Sequence, residues 1–274
     1  MSGITLRLKA VPAQRLDLSG FIPAKLAKLS NAEIARLPVS TGSRHAATAG
    51  DVFDISGSAG DTLTIDGSTT VLGAALDFVG AGLCSGTLRV NGNVGSYAGR
   101  KMSGGTLEIN GNAGSYLASG MTGGLIHVTG NAGDSLGAVL SGERFGMAGG
   151  TVVVSGNIGA RAGDKMRRGT IVVKGTTGAQ TGTRMVGGTI WAEGGLGPDP
   201  GFMMRRGTLI APKVERLLPT FVDCGCHDLL ITRILSRHLN KELGALAPAA
   251  LPVMVRKIGG DMATIGKGEI LLPA

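Results

Sequence analysis

The chain has 274 residues, of which 48 are glycine and only 3% aromatic, and 27 basic residues outnumber 19 acidic ones for a formal net charge of +8. Glycine at this level without a triplet period excludes collagen, and apolar residues that return at regular intervals exclude a disordered linker. The basic balance favours an anionic partner, and with so few aromatic side chains to stack on bases nucleic acid ranks behind a polyanionic small molecule or an acidic subunit. Three cysteines, Cys84, Cys224 and Cys226, cannot all pair with one another, and the first residues lack the layout of a signal peptide, which points to a reduced, cytoplasmic setting. No run approaches the roughly 18 apolar residues of a membrane helix. The mean hydropathy of +0.24 therefore reflects Ala, Val and Ile spread along the chain.

Residues 1–59 read as an amino-terminal cap. Ile4 to Lys9 alternates as an edge strand does, Ser30 and Glu33 form a capping box for a short helix stopped by Pro38, and Asp51 to Ser56 alternates again and begins the winding. Such a cap hides the first strand edge of a repeat array.

From residue 60 to 211 the chain repeats. A glycine before a short apolar strand recurs at Gly60, Gly86, Gly105, Gly124, Gly150, Gly169, Gly188 and Gly207, spaced by 19 residues except for two intervals of 26. A period of this size with one strand per unit predicts a solenoid, with seven-residue insertions around Ser68 to Gly80 and Ala138 to Gly146 projecting as partner-facing loops. Leu107 and Ile109 share one strand face, as do Leu88 and Val90, Val152 and Val154, and Ile171 and Val173. Met102, Met121, Met147, Met166, Met185 and Met204 fall in one slot, which core packing explains better than metal or redox chemistry. Asn93, Asn112, Asn131 and Asn157 share another, and read as left-handed corners whose amides bond to neighbouring turns. Stacked at ~4.8 Å per turn, the array predicts a rod on the order of 34 Å long. Beyond Pro212, in a segment 212–274, Asp228 to Leu243 carries Leu230, Ile231, Ile234, Leu235 and Leu239 on a helical stripe, ended by Gly244. This helix is expected over the open end of the rod or against a partner, followed by strands at Val253 to Ile258 and Glu269 to Leu272.

Within each turn runs G-x-x-G-x-x-x-G, as in Gly92, Gly95, Gly99 and in Gly156, Gly159, Gly163, with one departure at Ala118. The pattern resembles the right-handed parallel β-helix of the glutamate synthase carboxy-terminal domain and of the C-type subunit of the formylmethanofuran dehydrogenase family. Ser141 to Gly150, SGERFGMAGG, is similar to an insertion of that C-type branch, with Arg144 and Phe145 in altered order, and Arg256 to Ile270 is similar to the branch's closing motifs. The resemblance implies an all-β, right-handed parallel β-helix of about seven to eight turns. It also implies a non-catalytic scaffold subunit of a bacterial formyltransferase/hydrolase complex, which moves the formyl group of formyl-tetrahydromethanopterin to a methanofuran-type carrier and hydrolyses it to formate. Implied partners are amidohydrolase-like, formyltransferase and dehydrogenase-like subunits. The alternatives are the corresponding subunit of an archaeal tungsten or molybdenum formylmethanofuran dehydrogenase and a stand-alone carbohydrate-active β-helix.

No catalytic set emerges from the residues. Asp and Glu are few and out of register, His45, His127, His227 and His238 are scattered, and Cys224, Cys226 and His227 read as a structural turn before the helix, with no second pair at zinc spacing. His127, between Ile126 and Val128, is expected to point outward. Positive charge does stay in register: Lys101, Lys165 and Arg184 precede the Met slot, and Arg167 with Arg168 and Arg205 with Arg206 follow it. Equal phase in a coil means one vertical band. The plain reading is a solvated face or one turned to an acidic subunit; the sharper one is a binding band for the glutamate-rich arm of the carrier.

Overall fold

In the computed structural model, which describes residues 3–10, 12, 14–39, 47–67 and 76–274, the repeat winds into a β-solenoid. His45 and positions 68–75 of the first insertion lie outside the described residues. One 13-stranded sheet runs the length of the molecule. Its strands, numbered in chain order, are β1 (Gly3–Leu8), β2 (Phe53–Gly57), β3 (Thr62–Asp66), β4 (Thr87–Asn91), β5 (Thr106–Asn110), β6 (Leu125–Val128), β7 (Ala148–Val154), β8 (Arg168–Val173), β9 (Thr189–Ala192), β10 (Arg206–Ile210), β11 (Val222–Asp228), β12 (Met254–Gly260) and β13 (Lys267–Pro273). β3 to β10 pair in parallel, each with the next, so that Leu88 faces Leu107 and Val90 faces Ile109. Equal slots of successive repeats therefore lie directly above one another.

Glycine makes this stacking possible. A Cβ on Gly130, Gly156 or Gly175 would stand 2.7 Å from a carbonyl oxygen of the turn below, so no side chain fits in that column. The interior is filled from the strand face and from the methionines: Met102, Met121, Met147, Met166, Met185 and Met204 are all fully buried, as the packing reading expects. The asparagine column bonds along the rod. Asn93 Oδ1 accepts from the backbone N–H of Asn112 at 2.7 Å, and the pattern continues through Asn131, Asn157 and Thr176 at 2.8 Å. These asparagines are not left-handed, contrary to expectation. That conformation falls on two other columns of the coil.

On the second face of the coil, single bridges link Val94, Ala113, Ala132, Ile158 and Thr177, and further bridges reach Val214. These six bridges among the described residues span six circuits from Val94 to Val214, so the solenoid has about six turns rather than the seven to eight expected.

At the amino-terminal end, Ser30 caps the helix Asn31–Ala35 with Glu33 in the reciprocal bond of a capping box. β1 is not an edge strand. It lies between β3, parallel, and β2, antiparallel, so β2 closes the sheet. The winding does not begin at Asp51 either, since Asp51 and Val52 end a helical turn, Ala49–Val52, and β2 runs against the solenoid direction. At the other end β13 joins β10 in parallel, and β12 and β11 turn back antiparallel. These strands, not the helix, continue the sheet past the last turn. The helix Leu230–Leu243 lies on the flank instead, its Leu239 and Leu243 covering Val153, Val172, Trp191 and Ile210. The outer positions of β4 to β6 are Arg89, Glu108 and His127, whereas those of β7 to β10 are apolar and require a cover.

Because each turn contacts its neighbours alone, a cavity in the methionine column weakens the whole stack. Met166→Ala should lose about 2–5 kcal/mol of stability and Met166→Leu less than about 1.5 kcal/mol, measured by urea unfolding.

Candidate functional site

Two columns of residues in each turn adopt left-handed backbone. One holds Tyr97, Tyr116, Ser135, Arg161, Gln180 and Asp199; the other holds Lys101, Lys165, Arg184 and Met203, with φ from 49° to 65° across both. Long side chains seldom take this conformation, and here the stacked turns on either side enforce it. Between the columns runs a depression along the rod. Its central part, about 450 Å³, is lined by Tyr116, Glu143, Arg161, Asp164, Lys165 and Arg184.

Each carboxylate in this depression is held by two cations. Asp164, 5% exposed, accepts from Arg184 Nε at 2.8 Å, forms a second bond to that guanidinium, and accepts from Arg161 at 3.2 Å. Glu143, carried by the second insertion, meets Arg100 at 3.0 Å and Lys101 at 3.1 Å. Lys165 has no ion-pair partner among the described residues. Within its lining three cations, Arg161, Lys165 and Arg184, face two carboxylates, Glu143 and Asp164, and Arg100 and Lys101 reach Glu143 from the neighbouring hollow, so positive charge exceeds negative along the depression. The paired guanidinium of Arg184 is pushed above its ordinary pKa chiefly by the bond to Asp164 and stays charged.

Lys165 and Arg184 also border a second cavity of about 490 Å³ nearer the carboxy-terminal end, with an apolar floor of Phe145, Val186, Met203 and Ile265 and a rim of Arg144 and Arg205. The guanidinium carbons of Arg144 and Arg167 stand 5.1 Å and 5.0 Å from the centroid of the Phe145 ring, cation–π contacts that hold the insertion on its neighbouring turn. The closing segment forms the far wall. Buried Asp261 accepts from the Met203 N–H at 2.9 Å, and Thr264 donates to the Met204 carbonyl at 2.6 Å. Beyond Glu143, a third hollow of about 400 Å³ includes Arg100 and Lys101.

Of the residues expected in a basic band, Lys165, Arg184 and Arg205 therefore share one groove, Lys101 stands at its upper end, and Arg167 reaches it through Phe145. Arg168 and Arg206 lie elsewhere, exposed at the starts of β8 and β10, with Arg206 beside Lys267. Arg100, Arg161, Tyr116, Glu143 and Asp164 join the groove from outside the slots around methionine. Tyr116 and Arg161 share a slot of their own, so the register of that column marks them in the sequence. The bond from Glu143 to a turn 43 residues earlier has no such signal.

Cys224, Cys226 and His227 sit in the exposed strand β11, not in a turn, and the His227 ring nitrogen bonds to the Cys224 carbonyl at 2.8 Å. Among the described residues no three His, Cys, Asp or Glu side chains converge as metal ligands. His127 is on the outer strand face, 3.3 Å from Ser155 Oγ, where burial lowers its pKa.

No family model matches the chain. It is 54% identical over 270 residues, 98% of its length and 99% of the relative's, to the C-type subunit of the formyltransferase/hydrolase complex Fhc of Methylorubrum extorquens. The chain belongs to the family of Fhc C-type subunits. It also superimposes, with a TM-score of 0.88 and 42% identity over 98% of its length and 99% of the other's, on a polypeptide in the crystal structure of the formyltransferase/hydrolase complex FhcABCD from Methylorubrum extorquens in complex with methylofuran. The two identity figures differ, and either suffices for the assignment. Among the described residues no helix is long and apolar enough to cross a membrane.

Burial raises the pKa of Glu143, but the hydrogen bonds from Arg100 and Lys101 outweigh it and bring the net value below the usual carboxylate range. The stabilisation from these bonds is therefore complete above about pH 4.3 and is lost as pH falls through the depressed value. Glu143→Gln should flatten the acid limb of urea-midpoint against pH by an amount below ~1 kcal/mol, as suits a partly exposed pair.

Proposed function

We propose that the chain is the non-catalytic scaffold subunit of a cytoplasmic formyltransferase/hydrolase complex, and that the groove between its two left-handed columns binds the anionic arm of a methanofuran-type carrier. In this reading the complex transfers the formyl group of formyl-tetrahydromethanopterin to that carrier and hydrolyses it to formate. The chemistry belongs to amidohydrolase-like, formyltransferase and dehydrogenase-like partner subunits, and residues 1–59 and 212–274 are end pieces on a rod of residues 60–211. The observation that carries the proposal is the row of cations along one groove, Lys101 and Arg184 held by carboxylates and Lys165, Arg144 and Arg205 without an ion-pair partner among the described residues, in a chain whose relative's complex holds methylofuran.

The groove suits a chain of carboxylates better than a compact anion. Its cations recur at intervals of stacked turns, and guanidinium groups grip carboxylates through paired bonds. Fixed ion pairs with Asp164 and Glu143 hold several of them in place before a ligand arrives, which reduces the ordering cost of binding. The groups in the groove are cations and carboxylates engaged with one another, an arrangement that binds and orients.

Lys165→Ala combined with Arg205→Ala should weaken carrier binding to the assembled complex at low salt by at least about tenfold, with a smaller loss at high salt where screening already reduces the attraction. Arg168→Ala with Arg206→Ala, outside the groove, should change affinity less than about twofold. Equal affinities for both pairs and the unmodified complex, read by isothermal titration, would remove the groove from the carrier's path.

A further inference from the structure

Among the described residues, every exposed large hydrophobic side chain lies between Phe202 and Ile265. The described parts of the cap and the first turns expose none. Part of this apolar surface lines the groove already described, at Met203 and Ile265. The rest gathers at a different place. Asp228, the last residue of β11, pairs with Met254 at the start of β12, and Leu230 opens the helix two residues later. Leu230, Ile231, Val253 and Met254 thus meet at one corner, 63%, 58%, 56% and 44% exposed, with Ile234 one helical turn further on.

This corner borders an open sheet edge. β11 is the outermost strand, bonded to β12 alone, and all seven of its residues are exposed. A strand edge left open exposes a row of unpaired backbone groups to any passing strand. The opposite edge, β2, is finished differently: it is five residues long, carries Asp54 and Ser56, and buries Phe53. In β11 the register shifts between Asp223 and Cys226, with Gly225 at φ 84°, so a bulge interrupts the first half of the strand. The regular part, Cys226 to Asp228, is the part beside the apolar corner. Farther along the helix, exposed Arg237 and Lys241 have no ion-pair partner among the described residues.

We propose that β11 and the outer side of the C-terminal helix dock another subunit of the chain's own complex by strand addition. An extended segment of that subunit pairs with Cys226 to Asp228, sets apolar side chains against Leu230, Ile231 and Met254, and meets Arg237 and Lys241 with acidic residues. Backbone pairing fixes the direction of the incoming segment, the apolar corner supplies affinity, and the two cations select its rim. This rests on the reading of the chain as a subunit.

The test is hydrogen exchange of the full chain, alone and co-assembled with the other subunits of its complex. Peptides spanning residues 222–234 should exchange at least tenfold more slowly in the assembly, while those of β2 stay unchanged. Ile231→Asp with Ile234→Asp, both at exposed positions, should reduce recovery in the purified complex at least tenfold with the urea midpoint of the isolated chain unchanged. Assembly with 222–234 still exchanging freely, or full recovery of the double variant, overturns this proposal alone. Protection that appears in the isolated chain as its concentration rises places a second copy on this face and also overturns it. A wild-type chain that joins none of the subunits overturns the subunit reading and this proposal with it.

Discussion

Each turn of this protein passes the turn below it at backbone contact distance, and the rest of the structure follows from that constraint. Where Gly130, Gly156 and Gly175 lie over carbonyl groups, any side chain would force the coils apart and break the parallel ladder. The tight stack leaves an interior too narrow for aromatic rings in most turns, and valine, isoleucine, leucine and flexible methionine fill it. Asparagine amides then tie consecutive corners together from outside.

Strict stacking also converts a position in the repeat into a line on the surface. Two left-handed positions per turn project side chains on either side of one depression, so a recurrent choice of Lys or Arg becomes a row of charge. The second insertion interrupts this row and adds to it. Glu143 reaches back to Arg100 and Lys101, and Phe145 lodges between Arg144 and Arg167, so the loop is tied to turns on both sides. Like charges brought this close repel, and Asp164 and Glu143 relieve the repulsion while leaving a positive surplus.

The two ends of the solenoid are built for different fates. At the amino-terminal end β1 turns into the sheet and a short polar β2 closes it. At the carboxy-terminal end β13 continues the ladder, but β12 and β11 fold back to leave a fully exposed outer strand next to an apolar helix corner. The open outer strand is the edge on which a partner segment is proposed to add, whereas the short polar β2 offers no comparable edge.

The sequence alone determined the repeat, its glycine columns, the buried methionine line and the strand faces, because a period of 19 residues places every equivalent residue at the same phase and local chemistry does the rest. It also showed basic residues in register, so part of the groove was legible as a band. What only the tertiary structure decided were relations between phases. Arg205 and Arg206 are alike on paper, yet Arg205 rims a cavity and Arg206 opens the exposed start of β10, since a step of one residue turns the side chain toward another face of the coil. The same holds for the helix Leu230–Leu243. Its stripe predicted burial somewhere, but the apolar flank of Val153, Val172, Trp191 and Ile210, assembled from four separate turns, chose the side of the rod over its end and left Leu230, Ile231 and Ile234 outside.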